Sequence, residues 1–360
     1  MSLHDGVLLL NMPETEIKPT IKYLHPTWGA DPEFFFARKN LVGNPSSIIG
    51  AEKILPKEGI NTSGGKLIID GIQAELNPYF NRCRQSFSYR IHELFQGVQR
   101  QIAGKRITIN WNVLVKVTKK EMDSLSPDSK RFGCSPSLNA YGNYPQLPDA
   151  SKYLYRSAGG HIHLGTSPGS SEQCVINMLK DGKEAEKIVK ILDIIVGNTC
   201  VLLDRDEGEI ERRKYYGRAG EYRIQPHGIE YRVLGNFWLK NYTLMSMVMG
   251  LCRQGLGFAE NKKAGKELMA AVNELEIVHA INNNDFNLAL ANFNRIKPII
   301  IKWCPNFTGH SLNDRSMPAF EKFIEKGIKK SFRGDPLKHW SNYRFTYEDK
   351  GFEAYLERKS

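Results

Sequence analysis

An α+β fold is what this sequence predicts, on three observations. Several short segments alternate apolar and polar residues, as strands of a sheet with two unlike faces must. Between them lie stretches with helical spacing: Phe87, Ile91, Leu94, Phe95 and Val98 recur at three- and four-residue steps, as do Ile188, Ile191, Leu192 and Ile195. After Leu239 the chain turns helical, with an apolar 241–258 segment, then 264–281, 284–296 and 316–330, punctuated by Pro298, Pro305 and Pro318. The strands and the residues with chemical character fall in 1–258, and 259–360 reads as a helical C-terminal extension packed on the same domain. No Pro/Gly/Ser-rich linker separates the two.

With 360 residues, 41% apolar and 25% charged, the chain can bury a large core without disulfide or metal staples. The six cysteines, Cys83, Cys134, Cys174, Cys200, Cys252 and Cys304, are far apart and show no zinc spacing, so they read as reduced, packed thiols. The opening MSLHDGVLLLNMPE is too short in its apolar run for a signal peptide, and Leu244–Leu256, interrupted by Ser246, Arg253 and Gln254, is shorter than a membrane span. A cytoplasmic protein with no membrane partner is expected. The net charge of +11 is scattered among 39 acids and forms no basic tail, so it disfavours nucleic acid as partner and suits an anionic ligand such as a nucleoside triphosphate. Lys119-Lys120 and Lys329-Lys330 read as solvated surface, and the aromatic and basic tail around Trp340, Tyr343, Arg344 and Tyr347 as packing.

Four segments carry polar residues at i and i+2, the spacing that puts side chains on one face of a strand. In GADPEFFF, 29–36, these are Asp31 and Glu33, though solvated acids on an edge strand would look the same. In DGIQAELNP, 70–78, Gln73, Glu75 and Asn77 share a face opposite Ile72, Ala74 and Leu76, and Pro78 limits the strand. In SAGGHIHLG, 157–165, His161 and His163 share a face, and the glycines around them leave room for a ligand to approach. In GRAGEYRIQPHGIEYRVLGN, 217–236, two Glu-Tyr-Arg triplets aim Glu221 with Arg223, and Glu230 with Arg232, to one face; cross-strand salt bridges are the alternative. Just before them, 203–220 is highly charged and reads as a loop whose arginines, Arg213 among them, either gather phosphates or face solvent.

Converging carboxylates repel one another unless a cation sits among them, and oxygen-rich donors with an imidazole suit magnesium or manganese better than zinc. The sequence has no P-loop, since Gly64-Gly65-Lys66 is followed by Leu67, and no GxGxxG, HExxH or GxSxG.

The order of acid strand, second acid strand, GGHIHLG, arginine-rich loop and GIEYR, from about residue 29 to 240, resembles the glutamine synthetase and glutamate–cysteine ligase superfamily. It is most similar to phage-encoded carboxylate–amine ligase-like proteins. The resemblance implies a largely antiparallel curved sheet forming a funnel, with helices packed on one face. It implies ATP and Mg²⁺, with Mn²⁺ as a substitute, and carboxylate and amine substrates that are small molecules or peptides. It implies an amide bond made through an acyl phosphate, in the host cytoplasm if the protein is phage-encoded. Carried over by motif, Glu33, Glu75, His161 and Glu230 become metal ligands, with Asp31 and Glu221 as further ones. His163, Arg213 and Arg223 contact the nucleotide, and Glu33, Glu75 and Arg232 are catalytic. The separate N-terminal domain of glutamine synthetases is missing, and the substrate-side residues match no specific amino acid pocket.

Three other readings stay open on the residues. A guanidino-kinase-type phosphotransferase would also hold ATP against a sheet with arginines. A cupin-like metal enzyme also uses His-x-His, but no Glu follows His163 within a few residues. A nucleic-acid-binding or structural protein with a retained ligase fold would bind in a steeply salt-dependent manner.

Overall fold

The computed structural model describes residues 20–21, 24–131, 137–150, 152–165, 181–305, 307, 311–326 and 335–341. The N-terminal stretch, Cys134, Cys174, Lys329-Lys330 and the tail residues Tyr343, Arg344 and Tyr347 lie outside them. Strands and helices are both present, and every strand pairing is antiparallel.

The strands are β1 (Thr27–Ala30), β2 (Glu33–Lys39), β3 (Pro45–Ile49), β4 (Ile60–Thr62), β5 (Gly65–Asp70), β6 (Gln73–Pro78), β7 (Ile107–Asn110), β8 (Leu114–Lys116), β9 (Leu138–Asn139), β10 (Tyr155–Ser157), β11 (Ile162–Gly165), β12 (Glu221–Gln225) and β13 (Gly228–Tyr231). One sheet has the order β1-β11-β13-β12-β9; a second runs β3-β2-β6-β5-β4 with β7 also on β2; β8 and β10 form a separate pair. The chain passes from the first sheet to the second at Asp31-Pro32, between β1 and β2. Pro32 lacks an N–H and so cannot extend a ladder, which suits it to the crossing. The seam is closed by backbone bonds: Glu33 N–H donates to Gly159 O at 2.9 Å, and Trp28 and Asn81 bond reciprocally.

Alternation decides what each sheet shows to the site. Across the first sheet, Gly29, His163, Glu230 and Arg223 stand in register in one row, and Ala30, Ile162, Tyr231 and Tyr222 in the next. Successive residues face opposite sides, so the polar row faces the site while the second row is buried in the core. In the second sheet Glu33, Glu75 and Ile68 form such a row. The β5–β6 turn places Gly71 at φ 57°, a conformation open to glycine, and leaves Asp70 opposite Gln73 on the face that carries Glu75.

Helices cover the core side. The helix Arg84–Ile102 buries Phe87, Ile91, Leu94, Phe95 and Val98, the residues whose spacing predicts it. The second predicted helix spans Gly182–Leu192, capped by Asp181, and continues through a π-helical turn at Asp193–Gly197 into Asn198–Leu203. The apolar 241–258 stretch is the helix Tyr242–Glu260, almost wholly buried. Among the described residues no helix is long and apolar enough to cross a membrane. Helices at Lys262–Ala270, Glu274–Asn282, Phe286–Trp303 and Met317–Lys326 follow, with Pro298 inside the third. One hydrophobic cluster runs from Ile21 to Trp340. Trp340 stacks on Phe95 at 5.5 Å and donates its indole N–H to Leu239 O at 2.6 Å, so the last described helix is tied to both halves of the chain.

The 203–220 segment differs from the loop that its charge suggests. It contains the short helix Gly208–Arg212, and Glu209, Arg212 and Arg213 are buried. Glu209 stands one helical turn before both arginines and pairs with Arg212 at 2.8 Å and Arg213 at 3.1 Å. Spacings of three and four residues on a helix bring such charges together, and their mutual neutralisation makes burial tolerable.

Candidate functional site

At the seam between the sheets two groups of carboxylates lie side by side. The first is built from the polar row. Asp31 approaches His161 Nδ1 at 2.9 Å through one oxygen and His163 Nε2 at 3.4 Å through the other, and His161 Nδ1 is 3.5 Å from Glu230. Glu230 in turn meets Arg232 Nε at 3.0 Å and Arg223 at 3.3 Å, and accepts from Gln225 at 2.7 Å. Donor atoms of Asp31, His163 and Glu230 all lie within 4.8 Å of one another. Asp31 Oδ1, His161 Nδ1, His163 Nε2 and Glu230 Oε1 are buried and make no well-directed hydrogen bond. Close approach without hydrogen-bond direction is what donor atoms aimed at a shared centre look like, and this donor set of two carboxylates and an imidazole fits a divalent ion.

The second group, Glu33, Asp70 and Glu75, brings three acids within 4.8 Å of one another. Gly159 N–H donates to Glu33 at 2.7 Å, and no cationic side chain forms an ion pair with any of the three among the described residues. Oxygen ligands without an ion-pair partner fit a hard divalent cation.

The electrostatics of the two groups run in opposite directions. Burial alone would raise the Asp31 carboxyl, but the close approach of His161 and His163 holds it well below the usual range. Glu33 is pushed well above that range by burial, then by Asp70 and Asp31. Burial and then Asp31, Glu33, Asp70 and Glu230 push Glu75 up to about 10, and burial raises Asp70 against the pull of its bond to Glu33. Burial lowers His161, whereas Asp31 raises His163 despite its burial. These shifts follow from unlike charge around the first group and like charge around the second.

The structure thus brings Asp31, Glu33, Glu75, His161, His163, Arg223, Glu230 and Arg232 to one seam. Glu221 is in neither ligand group; it accepts Gly217 N–H at 3.0 Å and faces an adjoining cavity. Arg213 is elsewhere, held by Glu209 and the Ile281 carbonyl and bonded to Asn284 at 3.2 Å. The glycines serve packing rather than ligand access: a Cβ on Gly160 would meet Trp238 Nε1 at 2.6 Å, and one on Gly159 would meet His161 Nε2 at 2.6 Å.

Several residues of the site escape the sequence reading. Asp70 opens the DGIQAELNP segment but looks like a turn residue until the hairpin register is known. Tyr216, inside the charged segment, bonds His161 Nε2 through its hydroxyl and accepts from Arg232 at 3.2 Å. Gln225 follows Arg223 at i+2, the spacing that picks out the other polar pairs, and His227 stacks on His163 at 5.6 Å.

Residues 150–254, less than a third of the chain, match the family model described as phage phiEco32-like COOH.NH2 ligase-type 2; the matched stretch holds His161, His163, Tyr216, Glu221, Arg223, Glu230 and Arg232. No curated protein matches. Among solved structures, a bifunctional glutathione synthetase from Pasteurella multocida is similar at 10% identity and a TM-score of 0.41, covering 88% of this chain and 48% of that protein. This chain therefore spans about half the length of that structure. The match to the family model carries the similarity to carboxylate–amine ligases, and it bears on the half of the site that β11, β12 and β13 supply.

Proposed function

We propose that this protein is an ATP- and magnesium-dependent carboxylate–amine ligase with a site of glutamine synthetase type, acting in the cytoplasm, phage-encoded, and forming an amide through an acyl phosphate. The observation that carries the reading is the pairing, at one seam, of an acid-only cluster with a cluster bordered by Arg223, Arg232 and His163. Asp31, His163 and Glu230 would hold one divalent ion and Glu33, Asp70 and Glu75 another, with His161 beside the first. Magnesium at these sites, or manganese in its place, supplies positive charge against the triphosphate and the developing charge of phosphoryl transfer.

The side chains divide the remaining work. Arg232, buried and braced by Glu230 and Tyr216, offers a fixed positive charge to the transferred phosphoryl group, and Arg223 and His163 border the same space. The substrate carboxylate attacks the γ-phosphorus and ADP leaves. The amine nitrogen then attacks the acyl carbon, the C–O bond to phosphate breaks, and the nitrogen loses a proton as inorganic phosphate departs. No nucleophilic side chain is required. The guanidino-kinase alternative gains no support from the charged segment, because Arg212 and Arg213 are engaged by Glu209 and backbone carbonyls.

Calorimetric titration of a non-hydrolysable ATP analogue, with and without magnesium, on wild type and Glu230→Gln, tests the reading. Saturable binding that needs magnesium and is lost in the variant is expected. Absence of binding under every condition would sink it.

A further inference from the structure

Beside the Glu33–Asp70–Glu75 cluster lies a cavity of about 240 Å³, open to the surface on one side. Tyr153 lies 5.6 Å from Tyr155 and 5.2 Å from Tyr215, edge-on to the latter, so three lining residues form one aromatic wall. Tyr144 also lines the cavity yet is 61% exposed, which puts it at the opening. Tyr216 lines the inner end, where its hydroxyl meets His161.

Charge around this space is arranged one way. The lining cations are engaged elsewhere: Arg156 donates to the carbonyls of Ala150 at 2.8 Å and Lys130 at 2.9 Å, and Arg212 donates to Glu209 and to Leu234 O, both at 2.8 Å. The Arg131 side chain is 78% exposed and lies 3.9 Å from Asp128. The acids point inward. Glu33 and Asp70 belong to the acid cluster, while Glu221, whose carboxyl burial raises against the pull of Gly217 N–H, Arg212 and Arg232, lines the cavity outside both ligand groups.

We infer that this cavity binds the amine substrate, as a primary ammonium directed to Glu221 with an aromatic or other apolar carbon body against the tyrosine wall. The inference rests on the ligase reading above and specifies one of its two substrates. A carboxylate would meet acids here, whereas Arg223 and Arg232 stand at the other group. Ammonia would leave most of the space unfilled, since a water-sized molecule takes about 30 Å³. Tyrosine faces attract both apolar surface and cations.

The test is calorimetry on the full chain with 2-phenylethylamine, ethylamine and phenylacetate, each with and without magnesium and a non-hydrolysable ATP analogue. Phenylethylamine binds about ten-fold or more tightly than either of the others, in keeping with one buried ring and one charged hydrogen bond. Glu221→Gln weakens it by about ten-fold and Tyr144→Ala by roughly three- to ten-fold, while the nucleotide affinity of both variants stays at the wild-type value. Equal or tighter binding of phenylacetate, or amine binding untouched by both substitutions, overturns the inference. So does weakened nucleotide binding in Tyr144→Ala, which would assign the cavity to the base. Failure of the amine with magnesium-dependent nucleotide binding intact overturns the inference and leaves the ligase reading standing, whereas failure of the nucleotide titration removes the ligase reading and the inference with it.

Discussion

Asp31 and Glu33 are two residues apart in the chain, yet they belong to carboxylate groups of opposite character. Half-buried Asp31 and buried Glu230 lie among His161, His163, Arg223 and Arg232, so the first group is close to neutral as folded. Glu33, Asp70 and Glu75 have one another and a backbone N–H, with only the more distant pull of His161 and Arg232 on Asp70. The difference comes from the strands: the β1–β11–β13–β12 row brings in imidazoles and guanidiniums, whereas the β2–β6–β5 hairpin brings in more acids. The first group is a built ion network that a metal would rearrange, and the second is a deficit of positive charge that a metal would fill.

Breaking the first group should have the largest effect. Glu230→Ala removes from buried Arg232 the carboxylate that it meets at 3.0 Å, a loss of about 3–5 kcal/mol. It also removes a candidate metal ligand, with turnover falling by about 10²–10³-fold. Urea denaturation and an ADP-release assay measure the two. A variant as stable as wild type would mean that the network does not stabilise the fold.

In the second group the same operation should separate stability from activity. Glu75→Gln keeps shape and hydrogen bonding but removes the cost of protonating a raised carboxyl on folding, so the metal-free protein is expected to melt higher at neutral pH, by roughly 2 °C or more. Turnover falls by at least about 10–100-fold, the cost of losing even an outer partner of a metal site. A metal-free variant less stable than wild type would contradict the charge deficit.

The deficit also has a pH signature. Glu33, Asp70 and Glu75 are all raised in the folded state, so the stability tied to their protonated forms is complete below the unfolded range, near pH 4, and declines as pH rises toward about 10 for Glu75. Asp193 and Asp204, buried and raised to about 7 and about 8, push in the same direction, but neither belongs to a ligand group. Melting temperature between pH 5 and 9 is therefore expected to fall without magnesium, and to fall less with it. Equal slopes would assign the effect to raised groups outside the three acids, Asp193, Asp204 and Glu221 among them, and count against a cation among the three acids.

How far the sequence reveals all this follows the range of each interaction. His163, Glu230 and Arg223 share a face because strand alternation is local, and a period of two can be read from a few residues. The helices at 84–102 and 242–260 announce themselves by apolar spacing. Asp70 is different: its membership depends on the register of a hairpin whose turn gives it an ordinary local role. Arg213 and Tyr216 lie three residues apart in one charged segment, and only tertiary packing decides that one turns toward Ile281 and Asn284 while the other reaches His161. Glu209, three and four residues before Arg212 and Arg213, was the local sign that these arginines were already paired.

Tyr216 is also where the comparison can be sharpened with the smallest change. Its hydroxyl joins His161 Nε2 to Arg232, and its ring lies between the first group and the cavity beside the second. Tyr216→Phe keeps the ring and removes only the oxygen. If the hydroxyl orients His161 and Arg232 for phosphoryl transfer, kcat falls by about ten-fold, the worth of a hydrogen bond to a charged group, while KM for the amine stays within about two-fold. If the hydroxyl instead meets the amine, KM rises and kcat holds. An unchanged kcat with unchanged KM would mean that Arg232 and His161 are positioned without the Tyr216 hydroxyl.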